Sequence, residues 1–172
     1  MRLWQFTDVV RFDFSEVPGI GIVSLTTLGH ALAQAGAETL ELDQREIRMA
    51  VDPVVSARWV VRVFDAVGHG GGHMAELFRR ADEWVSNTRR VLRRSDHHDR
   101  TCRTACITCI LSSISQEDAR NGRLDRRAAL RVLDGANTAP RPTPHRDWQQ
   151  SSQRHATEAA VVAALRRKRD RA

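Results

Sequence analysis

Three cysteines fall within eight residues, at the spacing Cys102-x3-Cys106-x2-Cys109. Thiolates this close in sequence can converge on one ion within a single turn and the start of a helix, and zinc accepts tetrahedral sites of sulfur and nitrogen ligands. A pair such as Cys106 and Cys109 also occurs in redox motifs, but a redox role needs no third thiol. The odd number of cysteines disfavours disulfides. The spacing therefore predicts a zinc site.

A fourth ligand is available just upstream, where His97, His98 and Asp99 precede the first cysteine. Imidazole is a ligand that zinc accepts. His98 would give a site of three cysteines and one histidine, and His97 would take its place if the loop bends the other way. We expect the metal ligands to be Cys102, Cys106, Cys109 and His98.

Two enzyme classes are disfavoured because their motifs are missing. A zinc deaminase needs H-x-E and a distal P-C-x-x-C, whereas here Glu76 follows His73 by three positions and Cys106 follows Ala105. A P-loop ATPase needs a glycine loop that ends in lysine, and no such loop precedes the single lysine, Lys168. We therefore expect no catalytic residues and no cofactor besides Zn²⁺.

Arginine carries nearly all of the positive charge, and 27 Lys and Arg residues against 21 Asp and Glu give a net charge of +6. Guanidinium groups make planar, bidentate contacts to phosphate, and a basic balance favours polyanionic partners such as DNA, although genomic base composition can produce the same arginine preference. Candidates for nucleic-acid contacts flank the cysteines: Arg89, Arg90, Arg93, Arg94, Arg100 and Arg103.

Two other interpretations of the surface stay open. The arginines before the cysteines can simply be the solvated face of a helix. The domain can also be a protein-interaction subunit that docks through apolar surface around Trp59, Trp84 or Trp148 and does not touch nucleic acid. Contacts to phosphate would weaken steeply with salt, which separates the two cases.

A glycine run, Gly68-His69-Gly70-Gly71-Gly72, joins an apolar segment to a helical one. Backbone N–H groups at the start of a helix can hold an anion. The run does not match the dinucleotide pattern G-x-G-x-x-G. The simpler interpretation is a tight turn that lets the helix pack closely on a sheet.

Residue periodicity predicts a mixed α/β domain with a small β-sheet, packed helices and a cysteine-rich zinc knuckle. Strands are expected at residues 1–14, about 40–50 and 58–67, with the last and most apolar one at the centre of the sheet. Helical spacing predicts three helices: one from Ser24 that Gly36 weakens or ends, one from the glycines to near Arg94, and one from Leu124 to Leu133 that Gly135 closes.

The sequence divides into a domain at 1–135, a proline-rich linker at 136–153 and a basic helical tail at 154–172. No apolar stretch approaches the roughly 20 residues of a membrane span. The N-terminus lacks the apolar core of a signal peptide. We therefore expect a cytoplasmic protein.

The cysteine segment is followed by Ser115-Gln116 and by the run Leu124-Asp125-Arg126-Arg127-Ala128-Ala129-Leu130. In this order the motifs resemble the MrfA-like zinc-binding domain, and the resemblance covers roughly residues 5–135. Further landmarks of that family lie upstream: Thr7–Val9, Ser24–Leu32, Glu46–Arg48 and Phe64–His73.

That family occurs at the C-terminal end of superfamily 2 helicases and in the DrmB component of the DISARM anti-phage system. The resemblance implies an accessory zinc-binding subunit that acts with a helicase or defence-complex partner on DNA. Its members commonly bind zinc through four cysteines, and the extra thiol would fall near Arg100 here. It therefore leaves the fourth position to His98, to another protein, or to a weak, degenerate site. Ser115 lies where some relatives have cysteine, and a hydroxyl is a poor zinc ligand.

Overall fold

The structure of the chain is a computed structural model that describes residues 8–14, 17, 20–54, 58–66 and 71–135. The expected linker at 136–153 and the expected tail at 154–172, which include Trp148, lie outside the described residues. Residues 1–7 of the expected first strand and the first three residues of the glycine run also lie outside them.

A three-stranded antiparallel sheet forms one layer of the domain. Its strands are β1 (Val9–Asp13), β2 (Ile47–Val54) and β3 (Arg58–Asp65), in the order β1-β3-β2. The prediction of a central strand at 58–67 is confirmed, because β3 pairs with both neighbours. The second strand begins later than expected: Leu40 ends a helix and Leu42 lies in the turn, so only Ile47 of that apolar group is in the strand.

Helix α1 (Ile22–Leu40) packs on this sheet through a fully buried stripe. The expectation that Gly36 weakens or ends the helix is wrong, because α1 continues to Leu40 and ends at Glu41, whose φ is 57°. A Cβ at Gly36 would lie 2.9 Å from Leu77 Cδ1 and 3.2 Å from Trp84 Nε1. The glycine therefore serves close packing inside the core.

The second expected helix is divided in two: α2 (His73–Arg79) and α3 (Ala81–Arg93). Arg80 interrupts it with φ −103° and ψ 31°, and its N–H is shared between the carbonyls of Glu76 and Leu77. Trp84 of α3 is fully buried and its Nε1 donates to the carbonyl of Leu32 at 2.8 Å. Trp84 is thus a core residue and offers no docking surface, while Trp59 on β3 is half-buried.

Three further helices follow: α4 (Asp96–Thr101), α5 (Gln116–Arg120) and α6 (Arg126–Gly135). The expected helix at 124–133 corresponds to α6, displaced by two residues. Helices α4 and α5 were not expected, because segments of five or six residues are too short to show a period. The mixed α/β class is confirmed. Among the described residues, no helix is long and apolar enough to cross a membrane.

Candidate metal centre

Four side chains converge beyond the end of α3: His98, Cys102, Cys106 and Cys109. Their ligand atoms all lie within 4.8 Å of one another. The Sγ atoms of Cys106 and Cys109 are 3.7 Å apart, those of Cys102 and Cys109 are 4.0 Å apart, and His98 Nε2 is 3.2 Å from Cys106 Sγ. Two sulfurs bound to one tetrahedral zinc ion lie about 3.8 Å apart. The cluster therefore has the size and the donor set of a zinc site, and these are the four residues that the sequence analysis singled out.

Helix α4 supplies the first two of these side chains. Ser95 caps the helix, since its hydroxyl accepts a hydrogen bond from the His98 N–H at 3.2 Å. Cys102 ends it, and its N–H donates to the carbonyl of His98 at 2.9 Å. Residues four apart on a helix lie on one face. The short helix therefore aims His98 and Cys102 in the same direction and leaves His97 exposed.

A hydrogen bond to the backbone selects the tautomer of the His98 ring. Nδ1 lies 3.0 Å from the carbonyl oxygen of Arg93, which can only accept. The Nδ1 atom therefore carries the ring proton, and the lone pair of Nε2 points toward the thiols. This arrangement, with one ring nitrogen held by a carbonyl and the other facing the metal, is usual for histidine ligands.

The other two thiols are brought together by a turn rather than by the start of a helix, which corrects the sequence expectation. The Cys109 N–H donates to the Cys106 carbonyl at 3.0 Å, and the Cys106 N–H donates to Cys109 Sγ at 3.2 Å. Ser115 stabilises the chain just after the turn: its buried hydroxyl donates to the Ile110 carbonyl at 2.7 Å and accepts from the Ser112 N–H at 2.9 Å. Ser115 therefore holds the backbone and is not among the clustered ligands.

The three thiols differ in how readily they ionise. Burial and the neighbouring thiol of Cys109 raise the pKa of Cys102 to about 12, and burial also raises the pKa of Cys109. Burial opposes ionisation of Cys106 as well, but hydrogen bonds from the hydroxyl and the backbone N–H of Thr108 lower its pKa to about 6. Three thiolates this close repel one another unless a cation lies between them. The site can thus become fully ionised only with a bound metal.

The six arginines proposed to contact nucleic acid fall into two groups. Arg89 and Arg93 each approach Asp134 of α6 at 2.9 Å. Arg90 and Arg94 approach Glu38 of α1, at 3.5 and 3.0 Å. All four therefore link α3 to its neighbouring helices. The other two are exposed beside the metal centre: Arg100 and Arg103.

An open cleft of about 660 Å³ lies on the outer side of the four ligands. Arg94, His97 and Arg103 line it together with His98, Cys102 and Cys106. The cleft places two guanidinium groups next to the metal centre, where an anion would meet them.

The described end of the glycine run is held by a carboxylate. Asp65, at the end of β3, accepts a hydrogen bond from the Gly71 N–H at 2.7 Å. Gly72, with φ 77°, then begins α2. An N–H that is already bonded to a carboxylate is not offered to an anion, so these contacts favour the tight turn over the anion site.

Arg126 is a residue of this centre whose role the sequence analysis did not anticipate, although it lies in the Leu124–Leu130 landmark. Its side chain is fully buried behind Cys102 and bonds to the Cys102 carbonyl. Arginine in an amphipathic helix is normally solvated, and the sequence offered no signal beyond its place in that run.

The family model of the MrfA Zn-binding domain (MZB) matches residues 28–110. Among curated proteins, no sequence matches this chain. Among solved structures, the crystal structure of the DUF1998 helicase MrfA bound to DNA is similar, with 18% identity and a TM-score of 0.48, over 69% of this chain. The chain spans 15% of that helicase. All four clustered ligands lie inside the segment that matches this family model.

Proposed function

We propose that this chain is a non-catalytic accessory domain that holds one zinc ion through Cys102, Cys106, Cys109 and His98. The observation that carries this proposal is the convergence of these four ligand atoms within 4.8 Å inside the segment that matches a zinc-binding family. Zinc in structural sites is almost always bound by four protein ligands, whereas catalytic zinc keeps a position open for water or substrate. Three sulfurs and one nitrogen fill all four positions. The ion would therefore contribute folding energy.

The zinc ion would tie helix α4 to the turn that follows it. His98 and Cys102 come from α4, and Cys106 and Cys109 come from the turn that leads toward α5. In the described part of the chain, neither α4 nor α5 exceeds six residues, and α5 buries no residue. Short isolated helices are unstable in water. Metal binding would stabilise these short segments, which have little helical stability of their own.

We further propose that the domain acts in the cytoplasm with a helicase-like motor or a DISARM-type defence partner, on DNA. The sequence contains no P-loop motif, which supports a motor that belongs to another polypeptide segment. The net charge of +6 and the arginines beside the metal centre support contact with phosphate. Arg100 and Arg103 are the best candidates, because their side chains are exposed.

Metal analysis of the purified chain tests the zinc proposal. We expect about one zinc per chain in protein prepared without chelator, because the four ligands form a single cluster. Protein that contains no metal under these conditions would contradict it.

Binding of a fluorescent DNA duplex over a range of salt concentrations tests the second proposal. We expect affinity that falls as salt rises, because phosphate contacts release counterions. If no binding is found even at low salt, the domain is instead a protein-interaction subunit.

A further inference from the structure

Arg126 is fully buried, although the next arginines of the same helix, Arg127 and Arg131, are exposed. A guanidinium group is very costly to remove from water unless it is paired and all of its N–H groups are hydrogen-bonded. A buried arginine at the start of α6 must therefore have a complete set of partners.

The partners of Arg126 account for every N–H group of its side chain. Nε donates to the Cys102 carbonyl at 3.1 Å, and Nη2 donates to the same oxygen at 2.6 Å. Nη1 donates to the Leu92 carbonyl at 2.8 Å and to Asp99 Oδ1 at 2.6 Å, and Nη2 also donates to the Asp99 carbonyl at 3.1 Å. These five bonds match the five donors of a guanidinium group.

The carbonyls that Arg126 binds lie at the ends of the two helices that support the metal centre. Leu92 is in the last turn of α3, Asp99 is in the last turns of α4, and Cys102 is the C-terminal cap of α4. Carbonyls at helix C-termini lack partners within the helix, and a cation there complements the helix dipole. The backbone N–H of Arg126 also donates to the Thr104 carbonyl at 2.8 Å. Arg126 thus holds the chain on both sides of a metal ligand.

We propose that Arg126 is the positioning residue of the metal centre, fixing α4 and Cys102 against the end of α3 so that His98 and Cys102 face Cys106 and Cys109. The inference rests on the proposed zinc site. Arg126 lies in α6, beyond the segment 28–110 that matches the family model. Its bonds to the ends of α3 and α4 therefore make α6 an integral part of the centre. Residues that orient metal ligands typically contribute about 10- to 100-fold in metal affinity.

The test is titration of the full chain with Co²⁺, whose visible absorption reports the geometry of a tetrahedral thiolate site. Arg126→Lys keeps the charge but offers only three donors from a single nitrogen, which cannot reach all of the carbonyls. We expect its Co²⁺ affinity to fall by about tenfold or more and its absorption spectrum to change. The control is Val132→Ala, which removes buried volume from the same helix away from the centre. It should lower the unfolding temperature and leave both the spectrum and the affinity unchanged.

Unchanged affinity and spectrum in Arg126→Lys would overturn the inference, even if that variant unfolds at a lower temperature. An equal loss of affinity in Val132→Ala would also overturn it, because the effect would then reflect stability alone. If Arg126→Lys does not fold, Asp99→Ala removes one partner of Arg126 at a half-exposed carboxylate, and wild-type affinity and spectrum in that variant would refute the proposal. A wild-type chain that binds no Co²⁺ would refute the metal site itself, which is a different result.

Discussion

The Nδ1 atom of His98 lies 3.0 Å from the carbonyl oxygen of Arg93, in the last turn of α3. This bond attaches a metal ligand to the end of the 13-residue helix that carries Trp84 into the core. The orientation of the imidazole is therefore set by a rigid element of the fold. His97, on the neighbouring position of α4, is exposed and has no place in the ligand cluster.

Substitution of the two histidines separates their roles. We expect His98→Ala to lose zinc and to loosen the segment from Asp96 to Leu111, because a buried ligand is removed from a four-coordinate site. His98→Cys should keep zinc, since a fourth thiolate is an equally acceptable ligand. Zinc content and thermal unfolding of the purified variants measure both effects.

His97→Ala is the matched control and should keep its zinc and its unfolding temperature. If His97→Ala loses zinc and His98→Ala does not, the ligand assignment moves by one residue. If neither change matters, a water molecule, Asp96, Asp99 or a partner protein supplies the fourth ligand.

Zinc binding should release protons in a number that depends on pH. At pH 7.5 the thiols of Cys102 and Cys109 are protonated because their pKa values are raised, whereas Cys106, with a pKa of about 6, is mostly ionised. Each protonated thiol must lose its proton to bind, so affinity rises with pH. We expect the thiols to release about two protons per zinc at pH 7.5 and a number that rises toward three below pH 6, measured with a pH indicator during titration.

The Thr108 hydroxyl provides a control for this prediction, since it lies 2.9 Å from Cys106 Sγ. Thr108→Val removes one of the hydrogen bonds that lower the pKa of Cys106. Its proton release at pH 7.5 should rise toward three. The same proton number at pH 7.5 and below pH 6 in the unmodified chain would contradict the assignment of Cys106 as the readily ionised thiol.

The ligands could be predicted from sequence because they are close together in the chain. Cys102, Cys106 and Cys109 fall within eight residues, and His98 lies four residues before the first of them. Arg126 could not be found in this way. Its partners are 24 to 34 residues away, and nothing in its local sequence distinguishes it from the exposed Arg127.

The same distinction between local and long-range order applies to the fold. The central strand β3 is rich in β-branched residues and could be predicted from composition alone. The role of Gly36 depends on Ile47, Leu77 and Trp84, which come from three other elements. Local propensity disfavours glycine inside a helix by about 1 kcal/mol, and tertiary packing outweighs that preference in α1.

Gly36→Ala should destabilise the fold although alanine is the better helix former. A Cβ at this position would lie 2.9 Å from Leu77 Cδ1 and 3.2 Å from Ile47 Cδ1 in a fully packed core. Overpacking of this kind costs about 1–3 kcal/mol, which exceeds the gain of about 1 kcal/mol in helix propensity. Gly135→Ala is the control, because nothing lies within 4 Å of its Cβ position. Denaturant unfolding that shows Gly36→Ala to be more stable than the unmodified chain would contradict the packing account.

Arg89 and Arg93 of α3 are paired with Asp134, and they can contact DNA phosphates fully only when these ion pairs break. Asp134 holds Arg89 and Arg93 at once, so Asp134→Asn frees two guanidinium groups on one face. If these groups bind phosphate, DNA affinity should rise and become more dependent on salt, by up to about two released counterions. Arg100 and Arg103 are already exposed. Replacing either of them with alanine should weaken DNA binding and reduce the salt dependence by about one counterion.

Asp82→Asn is the control for net charge. It changes the charge of the chain by the same amount as Asp134→Asn, but at an exposed residue at the other end of α3. DNA affinity measured by fluorescence anisotropy should rise more in Asp134→Asn than in Asp82→Asn if the freed arginines touch the phosphates. Equal changes in the two variants would show that only the overall charge matters. The arginines of α3 would then make no specific phosphate contact, and their ion pairs would serve to hold α6 and α1 in place.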